Sequence, residues 1–583
     1  MTPPEETPSR RAGFSVGVSA SFLLAACALG LAFSRVWVAD DAYITFRHIM
    51  QFLAGNGLTY NTIERVEGFT HPLWVILLCV FGWLGAPISG TAVTMDLLCA
   101  AALLIGIAMS EREHGPLAMA ILVSCSGFID FATSGLETPM TMGLVYLAYR
   151  TSSILGAPIR AGLALGLAYL CHPDVAVLAL GPFLIALCET RDRGWENGRA
   201  DLARFLVSLA AAPIAWHAFR LGYYGDLLPN TYYAKNGGSY WSQGTAYIVD
   251  FATYAPLSAA GFVLVVVLAF ADLRRGLGLE RWRRSAGVLA VVIHAIAVAR
   301  VGGDFMGFRL LLPDLAVIAA LSAGALSRLR PPSMRLAQAG LVASGLWALF
   351  VQPVPPHERG LIVNERLNFA SAFTKTSDAF SGHPRHLWWN EGRLFRAFQE
   401  CVGEPDLIVE YPNIGYYGVA LGPRASLIDG NGLVDPFVAR NWEARKGRPR
   451  GRPGHEGKMT VEYALRRRIH FVREMFEPYR SVMSTDYGIL LSLDPRIVCT
   501  LPGKADGLRA LKQRLLGSPG AKSLDTLGFL SDLEKRDGVR IDDLCRVAAA
   551  PPDCSPAGIN RAGKGVNGQG ADGGSYPAAI LSR

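Results

Sequence analysis

Between about residue 12 and residue 354 the chain is a succession of apolar blocks separated by short polar loops. A bilayer crossing needs about 20 consecutive apolar residues. Inside lipid, every backbone N–H and C=O must be satisfied within the protein, so such blocks are read as helices. Candidate spans fall at roughly 14–38, 72–86, 89–109, 115–131, 139–150, 160–188, 203–221, 252–271, 285–300, 309–327 and 335–354, about eleven helices, several of them short for a crossing. Charged residues make up 18% of the chain, below the roughly 25% of a soluble domain. The expected fold is therefore a mainly α-helical polytopic membrane domain over residues 1–354, followed by a soluble α/β domain over 355–554. The Gly-rich stretch 555–583 is expected to be a disordered tail.

The net charge of +8 is modest, and the basic residues gather in short loops such as Arg191–Arg193 and Arg281–Arg284. On a multi-pass protein these are orientation signals. No basic face is interleaved with aromatics, so nucleic acid is excluded as a partner and the lipid bilayer is expected instead. Arg10-Arg11 precedes an apolar run from Ala12 to Val38 that is broken only by Arg35 and has no convincing cleavage site. It reads as a retained first helix with its basic start in the cytoplasm. An odd count of spans then puts the C-terminal domain outside the bacterial cytoplasmic membrane, and puts the basic loops at 191–199 and 272–284 inside.

Ten cysteines include no CxxC pair. Cys27, Cys79, Cys99, Cys125, Cys171 and Cys188 lie in or near apolar blocks and suit small buried residues. Cys401, Cys499, Cys545 and Cys554 could form two disulfides in an oxidising compartment, with Cys545–Cys554 the easiest to close.

Asp40-Asp41 follows the first span and so lies on the outer face. Beyond it, Tyr43, Phe46, Ile49, Met50 and Leu53 form an apolar stripe at helical spacing. Arg47, His48 and Gln51 form the other face, and Gly55-Asn56-Gly57 ends the helix. This predicts a short amphipathic helix over about 42–53 at the membrane surface. One aspartate suits its N-cap. The second is then left at the water–lipid boundary, where a carboxylate without a task is disfavoured.

Other ionisable residues lie in or beside apolar blocks: Glu137, His172-Pro173-Asp174, and Arg300, Asp304 and Arg309 around Gly302-Gly303. Ionisable groups at membrane depth are costly and face a cavity or a partner. Structural ion pairing explains Arg300, Asp304 and Arg309 as well as substrate contact does, Asp174 after proline suits the start of a helix half, and His172 suits a satisfied core histidine. The loop Tyr223–Lys235, with Asn230, Tyr232 and one lysine among hydroxyls, suits a phosphate or a sugar, and equally an aromatic interface belt.

An ordered set of motifs resembles the AftB-type arabinofuranosyltransferases, members of the GT-C class of polyprenyl-phosphate-sugar-dependent membrane glycosyltransferases. It comprises Ala39–Arg47 (ADDAYITFR), Gly55–Asn61 (GNGLTYN) and Arg65–Trp74 (RVEGFTHPLW), then Ser134–Pro139 (SGLETP), Leu228–Lys235 (LPNTYYAK) and Gly302–Met306 (GGDFM). In the soluble part it continues through Asn413–Gly418 (NIGYYG), Ile428–Pro436 (IDGNGLVDP) and Pro453–Glu456 (PGHE). The set spans most of residues 39–470. One departure is His172, where relatives carry arginine before the Pro-acid pair.

The resemblance implies transfer of a sugar, arabinofuranose first, from a polyprenyl-phosphate donor to a glycan or protein acceptor at the cell surface. It carries the catalytic carboxylate to Asp40 or Asp41. Arg47, Arg65, Glu67, His71, Glu137, His172, Asn230, Tyr232, Lys235, Asp304 and Arg309 are the candidate substrate contacts. Lys235 is the preferred cation for the departing phosphate, and Arg47, Arg65 and Arg309 follow. A divalent metal is compatible with oxygens from Asp40, Asp41 and Glu137, but no metal is assigned. The alternatives are a related transferase for another sugar or for a protein such as pilin, and a transporter of a lipid-linked sugar. A transporter is expected to show internal repeats, and none is evident. The soluble domain reads as two strands, 406–411 and 425–429, joined by a turn, with helical periodicity at 459–476 and 504–516.

Overall fold

The computed structural model describes residues 16–111, 114–154, 157–235, 238–274, 279–322, 325–326, 330–402 and 407–441, and beyond these 454–457, 459–460, 463, 467, 469, 471–472, 480–485 and 488–492. The chain forms two compact units. The first comprises Met1–Trp389, Asn413–Val419 and Asp429–Lys458; the second comprises Asn390–Pro412, Ala420–Ile428 and Met459–Arg583.

The first unit is helical. Its elements are α1 (Val16–Ser34), α2 (Asp40–Leu53), α3 (Pro72–Trp83), α4 (Ile88–Glu111), α5 (Gly115–Val123), α6 (Ser126–Phe131), α7 (Thr138–Ile154) and α8 (Pro158–Cys171). A 3-10 turn at Pro173–Ala179 leads into α9 (Leu180–Asp192), α10 (Trp195–Tyr224), α11 (Asn230–Lys235), α12 (Trp241–Tyr254) and α13 (Pro256–Arg274). Then come α14 (Leu279–Val301), α15 (Leu312–Leu321) and α16 (Pro331–Phe350). Among the described residues, six stretches are long and apolar enough to cross a membrane by length and composition: Val16–Ser34, Ile88–Glu111, Pro173–Asp192, Gly198–Tyr224, Pro256–Arg274 and Arg284–Val301. The chain is a multi-pass membrane protein.

Several apolar blocks differ in form from their sequence reading. The block at 160–188 is two helices rather than one span. Pro173 has no N–H to continue α8, and His172 before it is extended, with φ −150° and ψ 106°. The blocks at 115–131 and 309–327 contain α5 and α15, in which every residue is buried. A helix that is apolar all round belongs inside a bundle. Here α5 packs against α1, α4, α13, α15 and α16, and α15 packs against α7.

The chain after α16 stays on this unit. The hairpin β1 (Glu358–Arg359) and β2 (Ile362–Val363) is followed by α17 (Glu365–Phe369) and α18 (Thr376–Ser381). Val363 N–H donates to the Phe305 carbonyl at 2.7 Å, and Gly307 N–H donates to the Val363 carbonyl at 3.0 Å. Arg366 of α17 pairs with Asp130 of α6 at 2.8 Å.

The second unit contains a five-stranded sheet in the order β4-β3-β5-β7-β6, with β3 Ile408–Tyr411, β4 Ser426–Asp429, β5 Phe471–Val472, β6 Arg480–Thr485 and β7 Gly488–Ser492. β3 runs parallel to β5, and β7 is antiparallel to β5 and β6. Phe395 packs edge-on against Phe471 at 5.0 Å. The two expected strands are β3 and β4, but helix Tyr416–Leu421 lies between them rather than a tight turn. Phe471–Val472 is a strand, inside the stretch 459–476 whose periodicity suggests a helix. Arg10-Arg11, Arg445–Arg452, the periodic stretch 504–516, Cys499, Cys545, Cys554 and the tail 555–583 lie outside the described residues. Among the six apolar-block cysteines, all are free; Cys79, Cys125 and Cys171 are buried, and the other three are partly exposed.

Candidate active site

Asp40 and Asp41 form the first turn of α2, and the N-cap is Ala39, which makes no side-chain cap bond. Neither aspartate caps the helix. Asp40 instead accepts from two backbone N–H groups far along the chain, Tyr416 at 2.6 Å and Gly415 at 3.2 Å. The Tyr416 hydroxyl donates back to the Val38 carbonyl. The contact is close: a Cβ at Gly415 would lie 1.9 Å from the Asp40 carbonyl oxygen, so only glycine fits. Burial pushes the Asp40 carboxyl up to about 7, against the two N–H donors and with help from the Asp41 charge.

Asp41 is partly exposed and makes no hydrogen bond among the described residues. Burial raises its carboxyl as well; Lys235 and Arg309 pull it down, and Asp304 and Glu137 push it up. The sequence pair is thus split by tertiary contacts into a tethered carboxylate and an uncommitted one beside two cations.

Two loops deliver those neighbours. In the first, Gly135 has φ +77°, and a Cβ there would lie 2.9 Å from Val38 and 3.1 Å from Ala42. Asp96 holds this turn through Gly135 N–H at 2.8 Å, and Trp74 donates to the Gly135 carbonyl at 3.1 Å. Ala39 N–H donates to the Ser134 carbonyl at 2.9 Å, fixing Glu137 near the start of α2. In the second loop, Phe308 is the one described non-glycine residue with positive φ, +70°. Such a backbone is strained and persists where the surroundings enforce it. It directly precedes Arg309, which reaches Glu137 Oε1 at 3.2 Å and Asp304 Oδ2 at 3.7 Å. Lys235 ends α11 and forms no ion pair among the described residues.

Glu137 is fully buried. Burial pushes its carboxyl up, but His71, Arg309 and His172 more than offset this and hold it below the usual carboxylate range. His71 Nδ1 lies 3.2 Å from Glu137 Oε2, and its Nε2 pairs with the Thr45 hydroxyl at 2.7 Å. His172 Nε2 lies 3.9 Å from Glu137 Oε1. The structure therefore brings together Asp41, His71, Glu137, His172, Lys235, Asp304 and Arg309.

The remaining predicted contacts lie elsewhere. The Arg47 guanidinium is fully buried; it donates to the carbonyls of Tyr60 at 3.0 Å and of Gly418, and stacks on the Tyr60 ring. Its helix face is therefore packed rather than solvated: His48 and Gln51 are buried with it. Arg65 lies over the Tyr223 ring, exposed. Glu67 is locked by Arg220, Nη2 at 3.2 Å, and by Trp216 at 3.2 Å. Asn230 donates to the Gly432 carbonyl at 2.8 Å and the Leu433 carbonyl at 3.0 Å, and Tyr232 points outward with 44% of its surface exposed. These residues shape the fold around the site.

Sequence reasoning missed Glu365, buried at the start of α17, whose carboxyl is pushed up by burial and by the nearby charges of Asp41, Asp40 and Asp304. It also missed His294 and Asp314, which no local pattern marks. Among the described residues no group of three or more His, Cys, Asp or Glu side chains is arranged to hold a metal ion. The Asp40 oxygens, one of the imagined donors, face N–H groups instead.

No family model matches the chain. A terminal β-(1→2)-arabinofuranosyltransferase of Mycobacterium tuberculosis is 30% identical over 528 residues, covering 74% of this chain and 82% of that protein. One of the same name from Corynebacterium glutamicum is 30% identical over 336 residues, covering 50% of this chain and 48% of that protein. Among solved structures, ArnT from Cupriavidus metallidurans bound to undecaprenyl phosphate shares 16% identity at a TM-score of 0.38, over 76% of this chain and 78% of that one. The same protein in the apo state shares 13% identity at a TM-score of 0.46, over 82% and 98%. At those scores the ArnT likeness carries no weight for this chain. The mycobacterial relative does: matched at that identity over most of both proteins, the chain belongs to the family of terminal β-(1→2)-arabinofuranosyltransferases and is a glycosyltransferase.

Proposed function

We propose that the protein transfers an arabinofuranosyl group from a polyprenyl-phosphate donor to a cell-surface acceptor glycan on the outer side of the bacterial cytoplasmic membrane, with Asp41 as general base. The observation that carries this reading is the division of labour in the Asp40-Asp41 pair. Asp40 is consumed by Gly415 and Tyr416, whereas Asp41 is uncommitted and lies in the field of Lys235 and Arg309. The relatives' name supports the sugar and a β-(1→2) linkage. The outer face follows from a first helix that starts with basic residues inside, and the C-terminal domain lies on that side.

The chemistry is a displacement at the anomeric carbon. The acceptor hydroxyl oxygen forms the new C–O bond as its proton passes to Asp41. The bond from the anomeric carbon to the phosphate oxygen breaks, and its electron pair leaves on the phosphate. A positioned carboxylate base contributes about 10²–10⁴-fold. The departing phosphate needs positive charge placed beforehand. Arg309, held by Glu137 and Asp304, supplies a fixed one, and Lys235 supplies a longer, adaptable one. No metal is part of this reading.

Purified protein is incubated with polyprenyl-phosphate arabinofuranose and a short arabinan acceptor. Transfer by the wild type and its loss in Asp41→Asn, at equal folded yield, are the expected results. Turnover by Asp41→Asn at the wild-type rate would remove the base from Asp41.

A further inference from the structure

Behind Glu137 the polar groups do not stop. His172 Nδ1 contacts Asp174 Oδ1. Asp174 Oδ2 lies 3.4 Å from His294 Nε2, and His294 Nδ1 lies 2.9 Å from Asp314 Oδ2. Three separate elements supply these groups: the 3-10 turn after the Pro173 break, α14 and α15. His294 is wholly buried and Asp314 nearly so, while His172 and Asp174 are partly exposed. A run of four ionisable groups inside an apolar bundle is costly to maintain, and the displacement chemistry above uses none of them directly.

Their hydrogen bonding restricts their state. An ionised carboxylate only accepts, and a neutral imidazole offers one donor and one acceptor. Both ring nitrogens of His294 face carboxylates, so both contacts are satisfied together when both nitrogens carry hydrogen. Asp174 then has one oxygen on His294 and the other on His172 Nδ1. At 3.9 Å, His172 Nε2 is too far from Glu137 Oε1 for a hydrogen bond. It is the one ring nitrogen of the two histidines left without a direct partner, and it faces the Glu137–Arg309 pair.

Charge counting agrees. The carboxylates along this path are Asp41, Asp304, Glu137, Asp174 and Asp314, five against the two fixed cations Lys235 and Arg309. His71 adds no charge, because burial holds its imidazole well below the usual range, at about 4. Tyr149, near Asp314, gives its hydroxyl to the Leu178 carbonyl. A phosphate beside this many carboxylates gains from a further N–H donor directed at it.

We propose that Asp174, His294 and Asp314 are positioning residues that hold His172 as a double donor, with its Nε2–H aimed at the phosphate of the lipid-linked donor beside Arg309. This rests on the Asp41–Arg309 reading of the site. The relay moves no proton during transfer; it fixes the orientation and donor state of one phosphate contact.

The test is a double-mutant cycle read by donor KM and kcat in purified, monodisperse protein. His294→Gln raises donor KM about tenfold with a smaller effect on kcat. His172→Arg supplies a permanent cation, so adding His294→Gln to it costs less than about twofold. Asp314→Asn, which leaves the imidazole in place, follows the same pattern and serves where His294→Gln fails to fold. Equal losses from His294→Gln in both backgrounds overturn the relay. Full activity in Asp41→Asn overturns the site reading separately, since it leaves the cycle intact.

Discussion

Tyr416 N–H lies 2.6 Å from Asp40 Oδ1, joining the first turn of α2 to a segment 376 residues away. This bond decides the fate of the neighbouring carboxylate: with Asp40 tethered, Asp41 is the member of the pair left in the field of Lys235 and Arg309.

The two aspartates therefore fail differently when changed. Asp41→Asn loses about 10²-fold or more in kcat, the size of a general-base contribution, with unchanged thermal stability. Asp40→Asn keeps measurable turnover and lowers the midpoint of thermal unfolding, because an amide cannot accept from two N–H groups with both of its polar atoms. Single-turnover transfer and thermal unfolding in detergent separate the two effects.

Gly415→Ala forces a methyl group onto the Asp40 backbone, where 1.9 Å is available. Overpacking of this kind costs about 1–3 kcal/mol. Lower stability and reduced kcat are expected together, since the tether and Asp41 share one helix turn; unfolding curves and transfer assays on the same preparation check both.

Asp40 also gives a pH signature. Its folded carboxyl is raised to about 7 from an ordinary 3.8. The protonated form is thus favoured by the fold, and its stabilising contribution is full below about 4 and lost as pH rises through about 7. Wild-type stability should fall over that window by more than that of Asp40→Asn; superimposable unfolding profiles would contradict this.

Glu67 is held by Arg220 and Trp216, and a role in the fold rather than at the substrate is the expected outcome. Glu67→Gln leaves Arg220 buried without its counter-charge, a loss of about 3–5 kcal/mol. Whatever protein folds should keep the wild-type donor KM. Lys235→Met should do the reverse, raising donor KM severalfold with little change in stability, because Lys235 holds no ion pair among the described residues. Paired KM and unfolding measurements on the two variants check the assignment.

The sequence by itself determined that this chain is a helical membrane protein with an acidic pair after its first span. It also determined which family it belongs to, because apolar length, proline breaks and the order of motifs along the chain are local or linear properties. It could not separate Asp40 from Asp41, or Arg47 from Arg309. Arg47 sits in the same helix as the acidic pair, yet its guanidinium is spent on the carbonyls of Tyr60 and Gly418. Arg309, far along the chain, is turned toward Glu137 by a strained Phe308. His294 and Asp314 look in sequence like stray polar residues in apolar helices, and only packing of α14 on α15 and the 3-10 turn joins them to His172. Only tertiary structure decided these points, for one physical reason: a charged side chain's role depends on which partners satisfy it, hydrogen bonds are directional and short-ranged, and those partners come from elements hundreds of residues apart.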